Sequence, residues 1–158
     1  MEDVGKKHRV QNPSDVMRKA EEYCALHGLQ FTPVRRKVLE ILLGSSQVLG
    51  AYDILKHLDH AGFKSQPPVA YRALEFLVKH GFVHKVVHLN AFVACDHPDE
   101  EHAPMFMICN ECDLVVEADS NPLPRSFAST TKNSGFHVEE AVIEMKGLCT
   151  ACAGMVVS

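Results

Sequence analysis

The 158 residues are 46% hydrophobic and 23% charged, a balance that suits one ordinary domain or two small ones and excludes a largely disordered chain. There is no long apolar run, and MEDVGKKHRV lacks the hydrophobic segment of a secretory signal or membrane span, so a cytoplasmic protein without a membrane partner is expected. The net charge of −4 hides an asymmetry: residues 1–88 hold 13 Lys and Arg against 9 Asp and Glu, whereas residues 89–158 hold 3 against 11, so a polyanion would be met by the first part and repelled by the second.

Residues 1–12 carry no helical pattern and are predicted to be a flexible tail. Asn12, Pro13 and Ser14 then open a helix with Val16, Ala20, Tyr23 and Cys24 on one face, closed by Gly28. Cys24, alone in that pattern, reads as a small buried apolar residue. Thr32 and Pro33 make an N-cap and first helical position, after which Val34, Val38, Ile41 and Leu42 keep helical spacing up to Gly44. A third helix fits Ala51 to His60, with Tyr52, Leu55 and Leu58 as its apolar face. A fourth runs from about Pro67 to His80, turning Ala70, Ala73, Leu74 and Leu77 inward and Tyr71, Arg72 and Glu75 outward. The β-rich runs FVHKVV and AFVAC, joined through His88, Leu89 and Asn90, form a hairpin. Helices followed by a hairpin describe a winged helix-turn-helix domain over residues 1–94.

The composition changes in DHPDEEHAP, which places an interdomain hinge at 95–104. Beyond it, MFMIC and LVVEA read as strands, Pro122 to about Lys132 as a helix, and Phe136 to about Met145 as a strand. Residues 105–158 therefore make a small α/β domain, and the fold class is α+β.

Two Cys-x-x-Cys pairs, Cys109 with Cys112 and Cys149 with Cys152, supply four soft thiolates at a spacing that suits tetrahedral Zn2+. Reduced thiols are the rule in the cytoplasm, and a redox Cys-x-x-C motif usually stands singly in a thioredoxin-like setting, so a structural zinc is expected over thiol chemistry. A closed four-sulfur shell leaves no open position for a substrate, which argues against an enzyme. A looser constellation joins His84, Cys95, His102 and Glu117, whose two nitrogens, one sulfur and one carboxylate can also fill a tetrahedral zinc site. Scattered His and Glu are commonly solvated surface residues, and His88, His97 and His137 remain rival ligands; a third site involving His97, His137 or Glu140 stays open. On the fourth helix, Tyr71 can contact thymine methyl groups and Arg72 can donate to guanine or phosphate. Arg35, Arg36 and Lys85 are expected to touch phosphates, which set register without reading sequence. A solvated amphipathic helix is the plainer alternative.

At these residues the chain resembles the ferric uptake regulator family, most closely its zinc-sensing branch. The segments that carry the likeness are LQFTPVRRKVLEIL, GAYDILKHL, QPPVAYRALEFLVKHGFVHK, FVAC, MFMICNEC and VIEMKGLCTAC. The resemblance implies a homodimer paired through its C-terminal domains, whose winged helices grip palindromic double-stranded operator DNA. It further implies zinc as corepressor, zinc-uptake genes as targets, and no small-molecule substrate. Two zinc ions per chain are implied: a structural one at Cys109, Cys112, Cys149 and Cys152, and a regulatory one at His84, Cys95, His102 and Glu117. Tyr71 and Arg72 match the family's base-reading pair. Two departures matter. EEHAPMFMIC offers only His102 where iron-sensing relatives have a His-x-His run, which together with Cys95 favours zinc over iron, manganese or peroxide sensing. Val69 and Ala70 precede Tyr71 where the family has Thr, so the start of that helix must rely on Pro67, Pro68 or Ser65. A zinc-dependent hydrolase using His84, Cys95 and His102 is the remote rival, and it would need a general base that no carboxylate supplies once Glu117 is a ligand.

Overall fold

The computed structural model describes residues 10, 12–64, 66–98, 103–118 and 125–156, which fall into two compact units, one ending at 98 and one beginning at 103. His102, Ser65, the start of the helix expected from Pro122, and most of the expected tail lie outside the described residues. No described helix is long and apolar enough to cross a membrane.

The first unit carries α1 (Pro13–Leu26), α2 (Pro33–Gly44), α3 (Ala51–His60), α4 (Pro67–Lys79), β1 (Val83–Val86) and β2 (Ala91–Ala94). Two helices start as their sequences dictate. Asn12 accepts the Asp15 N–H at 3.2 Å and Thr32 accepts the Arg35 N–H at 3.3 Å, each just before a proline, so backbone donors that the helix cannot satisfy are answered locally. Val16, Ala20, Val38, Leu39, Leu42, Ile54, Leu58, Ala70, Leu74 and Leu77 converge in one core. Val10, in the segment expected to be a tail, is 3% exposed and belongs to that core.

Helix α3 corrects the sequence expectation. Its buried residues are Ile54 and Leu58, while Tyr52, expected to face inward, is 70% exposed. Ile54 and Leu58 are four apart and share a face, whereas Tyr52 lies about 200° around the helix from Ile54; its ring carries Lys56 Nζ 4.5 Å above it. After α4, Gly81 adopts φ +79 and turns the chain into β1, a conformation glycine reaches without steric cost. β1 and β2 pair antiparallel, Val83 opposite Ala94 and Val86 opposite Ala91, around a 3-10 turn at Val87–Leu89 and a left-handed Asn90. Leu49 and Phe92 exchange both backbone hydrogen bonds, at 3.0 and 2.7 Å, which ties the hairpin to the segment between α2 and α3.

The second unit contains β3 (Met105–Cys109), β4 (Val115–Glu117), α5 (Arg125–Ser134), β5 (Ile143–Gly147) and α6 (Thr150–Val156). The sheet order is β4-β3-β5, antiparallel between β3 and β4 and parallel between β3 and β5. Phe106 and Ile108 are buried on one face, as the two-residue alternation of a strand requires, and Met107 on the other face is exposed. The last strand is shorter and later than the apolar pattern from Phe136 suggests. Its partner β3 is five residues long, so pairing begins at Ile143 opposite Met105, and Phe136 is left 71% exposed.

Leu74, 1% exposed in the helical core, provides the measure of that packing. Leu74→Ala is expected to cost about 2–5 kcal/mol in urea unfolding followed through the helical signal, with the metal content of the cysteine cluster unchanged.

Candidate metal centre and nucleic-acid interface

The parallel register of β3 and β5 sets Cys109 opposite Gly147, and this brings the two Cys-x-x-Cys pairs together. Cys109 ends β3, and Cys112 lies on the turn beyond it. That turn is closed by Cys109 N–H to the Leu114 carbonyl at 2.9 Å and Asp113 N–H to the Cys109 carbonyl at 3.0 Å, with Asp113 at φ 56. Cys149 follows β5, and Cys152 is on α6. Asn110 N–H reaches the Gly147 carbonyl at 2.8 Å, which stitches the first turn to the end of β5.

The four sulfurs lie within 4.8 Å of one another, and Cys112 Sγ and Cys149 Sγ are 3.8 Å apart. A tetrahedron with zinc–sulfur bonds of about 2.3 Å has sulfur–sulfur edges of about 3.8 Å, so the cluster has the dimensions and the donors that zinc takes. The thiols are poised unequally. The N–H groups of Cys149 and then Cys112 stabilise the Cys109 thiolate and lower its pKa to about 6. Cys152 is pushed up to about 12, first by the Cys149 side chain and then by burial. For Cys112 the Leu114 N–H pulls downward, but the Cys109 side chain, burial and Cys149 outweigh it and the value rises. Four mutually close thiols cannot all ionise unaided; a bound cation is what would let each release its proton.

Of the second expected set, the first unit brings two residues together. His84 faces Val93 across the hairpin, so Cys95, two residues on, is its diagonal neighbour on the same face, and their ligand atoms lie within 4.8 Å. Cys95 is fully buried and its N–H donates to the Phe82 carbonyl at 2.9 Å. Glu117 ends β4 in the second unit and is half-buried. Among the described residues, His88, His97, His137 and Glu140 join no cluster of three or more metal-binding side chains.

On α4 the inner face is locked by Ala70, Ala73, Leu74 and Leu77, while Tyr71 and Arg72 are exposed. The start of this helix uses no side-chain cap: Gln66 is the N-cap without a side-chain bond, Pro67 and Pro68 follow, and the Gln66 carbonyl receives Val69 N–H at 2.9 Å. Thus Val69 needs no hydroxyl. The other expected DNA contacts divide. Lys85 is exposed on β1, but Arg35 donates to the Gln30 carbonyl at 2.5 Å and lies 3.7 Å over the Phe76 ring, and Arg36 pairs with Glu21. Both arginines therefore have structural work inside the unit. Tyr52 and Lys56 add an exposed aromatic-cation pair on α3 that the sequence reading missed by assigning Tyr52 to the core; their four-residue spacing was the available signal.

The ferric uptake regulator family model matches residues 26–146. The chain is 35% identical to the zinc uptake regulation protein of Escherichia coli K12 over 139 residues, 87% of this chain and 81% of that one. It superposes on a solved zinc uptake regulator complexed with zinc and DNA with a TM-score of 0.83 at 33% identity, covering 94% of this chain and 99% of the other. For the crystal structure of holo XcZur the TM-score is 0.78 at 36% identity, with 90% and 99% covered.

Cys149→Ser should remove about one zinc per chain and strip hydrogen-exchange protection from the amides joining β3 to β5, with α1–α4 unaffected. Acidification should act in the same direction, because protons compete for thiolates and metal leaves as pH falls. A chromogenic zinc chelator read against pH checks both, and unchanged zinc content in the serine variant would refute the assignment.

Proposed function

Since the chain belongs to the ferric uptake regulator family, we propose that it is a zinc-responsive transcriptional repressor, a homodimer that binds palindromic operator DNA when zinc is bound and represses genes for zinc uptake. It is not an enzyme. The observation that carries the zinc reading is the Cys95 thiol beside His84: a sulfur with an imidazole favours zinc, whereas Mg2+ or Mn2+ prefers oxygen-rich sites. What supports DNA reading is α4, a helix fixed on its inner face and offering Tyr71 and Arg72 outward.

Two zinc ions per chain serve different purposes. Cys109, Cys112, Cys149 and Cys152 hold the structural ion and staple the second unit. His84 and Cys95 from the first unit, with His102 and Glu117, hold the regulatory ion and so fix the DNA-binding unit at operator spacing. A preference of roughly 1–3 kcal/mol for the DNA-competent arrangement is within ordinary allosteric coupling and makes a useful switch. The protein works in the cytoplasm, where it samples available zinc.

Dimerisation is assigned to the second unit. β5 is an edge strand, and on its sheet Met107 stands opposite both Val116 and Met145, with Met107 44% and Met145 43% exposed. This apolar row crosses three strands, and a second copy of the chain would cover it.

In gel-shift titrations against buffered free zinc, a duplex enriched from a random pool should be bound more tightly as zinc rises. Cys95→Ser and His84→Ala should lose that dependence and hold about one zinc where the wild type holds about two; equal affinity with the second ion present and absent would refute the switch. Met145→Lys should shift sedimentation from dimer toward monomer, because a charge placed in a dry interface is left unpaired.

A further inference from the structure

We propose that Tyr23 and His80 are a positioning pair that holds the C-terminal end of α4 against α1, and that protonation of His80 loosens this hold so that acid weakens DNA binding. The proposal rests on α4 being the helix that meets DNA. His80 caps α4, its N–H bonded to the Phe76 carbonyl at 3.1 Å. Its Nδ1 lies 3.3 Å from the Tyr23 hydroxyl on α1. The His80 ring packs on Phe76 at 4.6 Å, and Phe76 in turn lies under the Arg35 guanidinium at 3.7 Å. Tyr23 is clasped by His27 at 4.1 Å and meets Phe82 edge-on at 5.5 Å. A column of rings and one cation thus joins α1, α2 and the far end of α4, and it fixes the direction in which α4 presents Tyr71 and Arg72.

Neutral His80 can accept a hydrogen bond from the Tyr23 O–H at Nδ1; protonated, it becomes a donor there and the hydroxyl must turn to accept. Among the described residues, the charged or chargeable groups that act on it are Lys79 on α4, His27 capping the end of α1 and Arg35 on α2, and no carboxylate is among them. Burial first, and then Lys79, His27 and Arg35, lower its pKa from the ordinary 6.5. The sign follows: a histidine with a depressed folded pKa contributes stability that is present above its unfolded value and is lost as pH falls through the unfolded pKa toward the folded one. This runs against the bulk effect of acid, since other histidines that become positive would tighten binding to phosphates.

The test uses the zinc-loaded full chain, with zinc content measured at each pH, and the enriched duplex. From about pH 7.5 to about pH 5.8, wild-type affinity should fall roughly threefold. His80→Asn, which keeps a partner for Tyr23 near the Nδ1 position and cannot ionise, should bind like wild type at the higher pH and not weaken at the lower. Tyr23→Phe should bind more weakly at the higher pH. An identical pH dependence in His80→Asn and wild type overturns the proposal. NMR titration of the wild-type His80 imidazole gives a second readout that needs no DNA: it should titrate below the ordinary 6.5, and Tyr23→Phe should move it upward. A His80 titration at or above the ordinary value, or one that Tyr23→Phe leaves unmoved, overturns the pair. If the wild type binds no DNA selectively at any pH, the repressor function fails instead, and the NMR result alone decides the pair.

Discussion

The parallel pairing of β3 with β5 is the constraint on which the second unit depends. Parallel strands need a long connection, and the loop that must close before Cys109 meets Gly147 contains β4 and α5. Among the described residues of this unit few are buried: α5 has none, and the buried set is Phe106, Ile108, Cys109 and Val115 with Pro104. So small an apolar core does not offset the entropy of ordering the unit, and a four-thiolate metal site at the ends of both strands is the natural reinforcement. The same geometry leaves the outer face of the sheet apolar. The four thiols gathered at the strand ends and the exposed apolar row of the sheet are thus two marks of one shortage of core.

The first unit is built differently. Its core draws on all four helices and the hairpin, and the surface of α4 is free to carry chemistry because its inner face is fully committed. Arg35 illustrates the division of labour. Its guanidinium seals Phe76 and ties back to Gln30, an arrangement that a lysine, lacking the planar fork, would not reproduce.

What was legible in the sequence was local. Thr32 and Pro33 begin α2 because capping involves residues three apart, and the cysteine pairs announced themselves because chelation is encoded in a two-residue gap. Where the pattern allowed two answers, long-range packing chose. A ten-residue helix with apolar Tyr52, Ile54, Leu55 and Leu58 allows more than one inward face: the core took Leu58 and, at its margin, Leu55 as expected, but it chose Ile54 in place of Tyr52. β5 starts where β3 can pair with it, not where apolar residues begin. Helix α6, seven residues long and containing Gly154, has too little periodicity to be read. Tyr23 and His80 are 57 residues apart, so no spacing rule could join them, and the pairing of His84 with Cys95 was suggested by composition but required the hairpin register to become a neighbour relation.

The double proline that opens α4 has a consequence for how the helix meets a polyanion. The first turn of a helix ordinarily presents bare amide hydrogens, and phosphates are drawn to them. Here Pro67 and Pro68 have none, and those of Val69 and Ala70 are both directed at the Gln66 carbonyl. The tip of α4 is therefore almost mute toward the sugar-phosphate rails. Whatever grip it exerts has to come from its side chains, so its contribution to affinity is tied to the same residues that can discriminate bases.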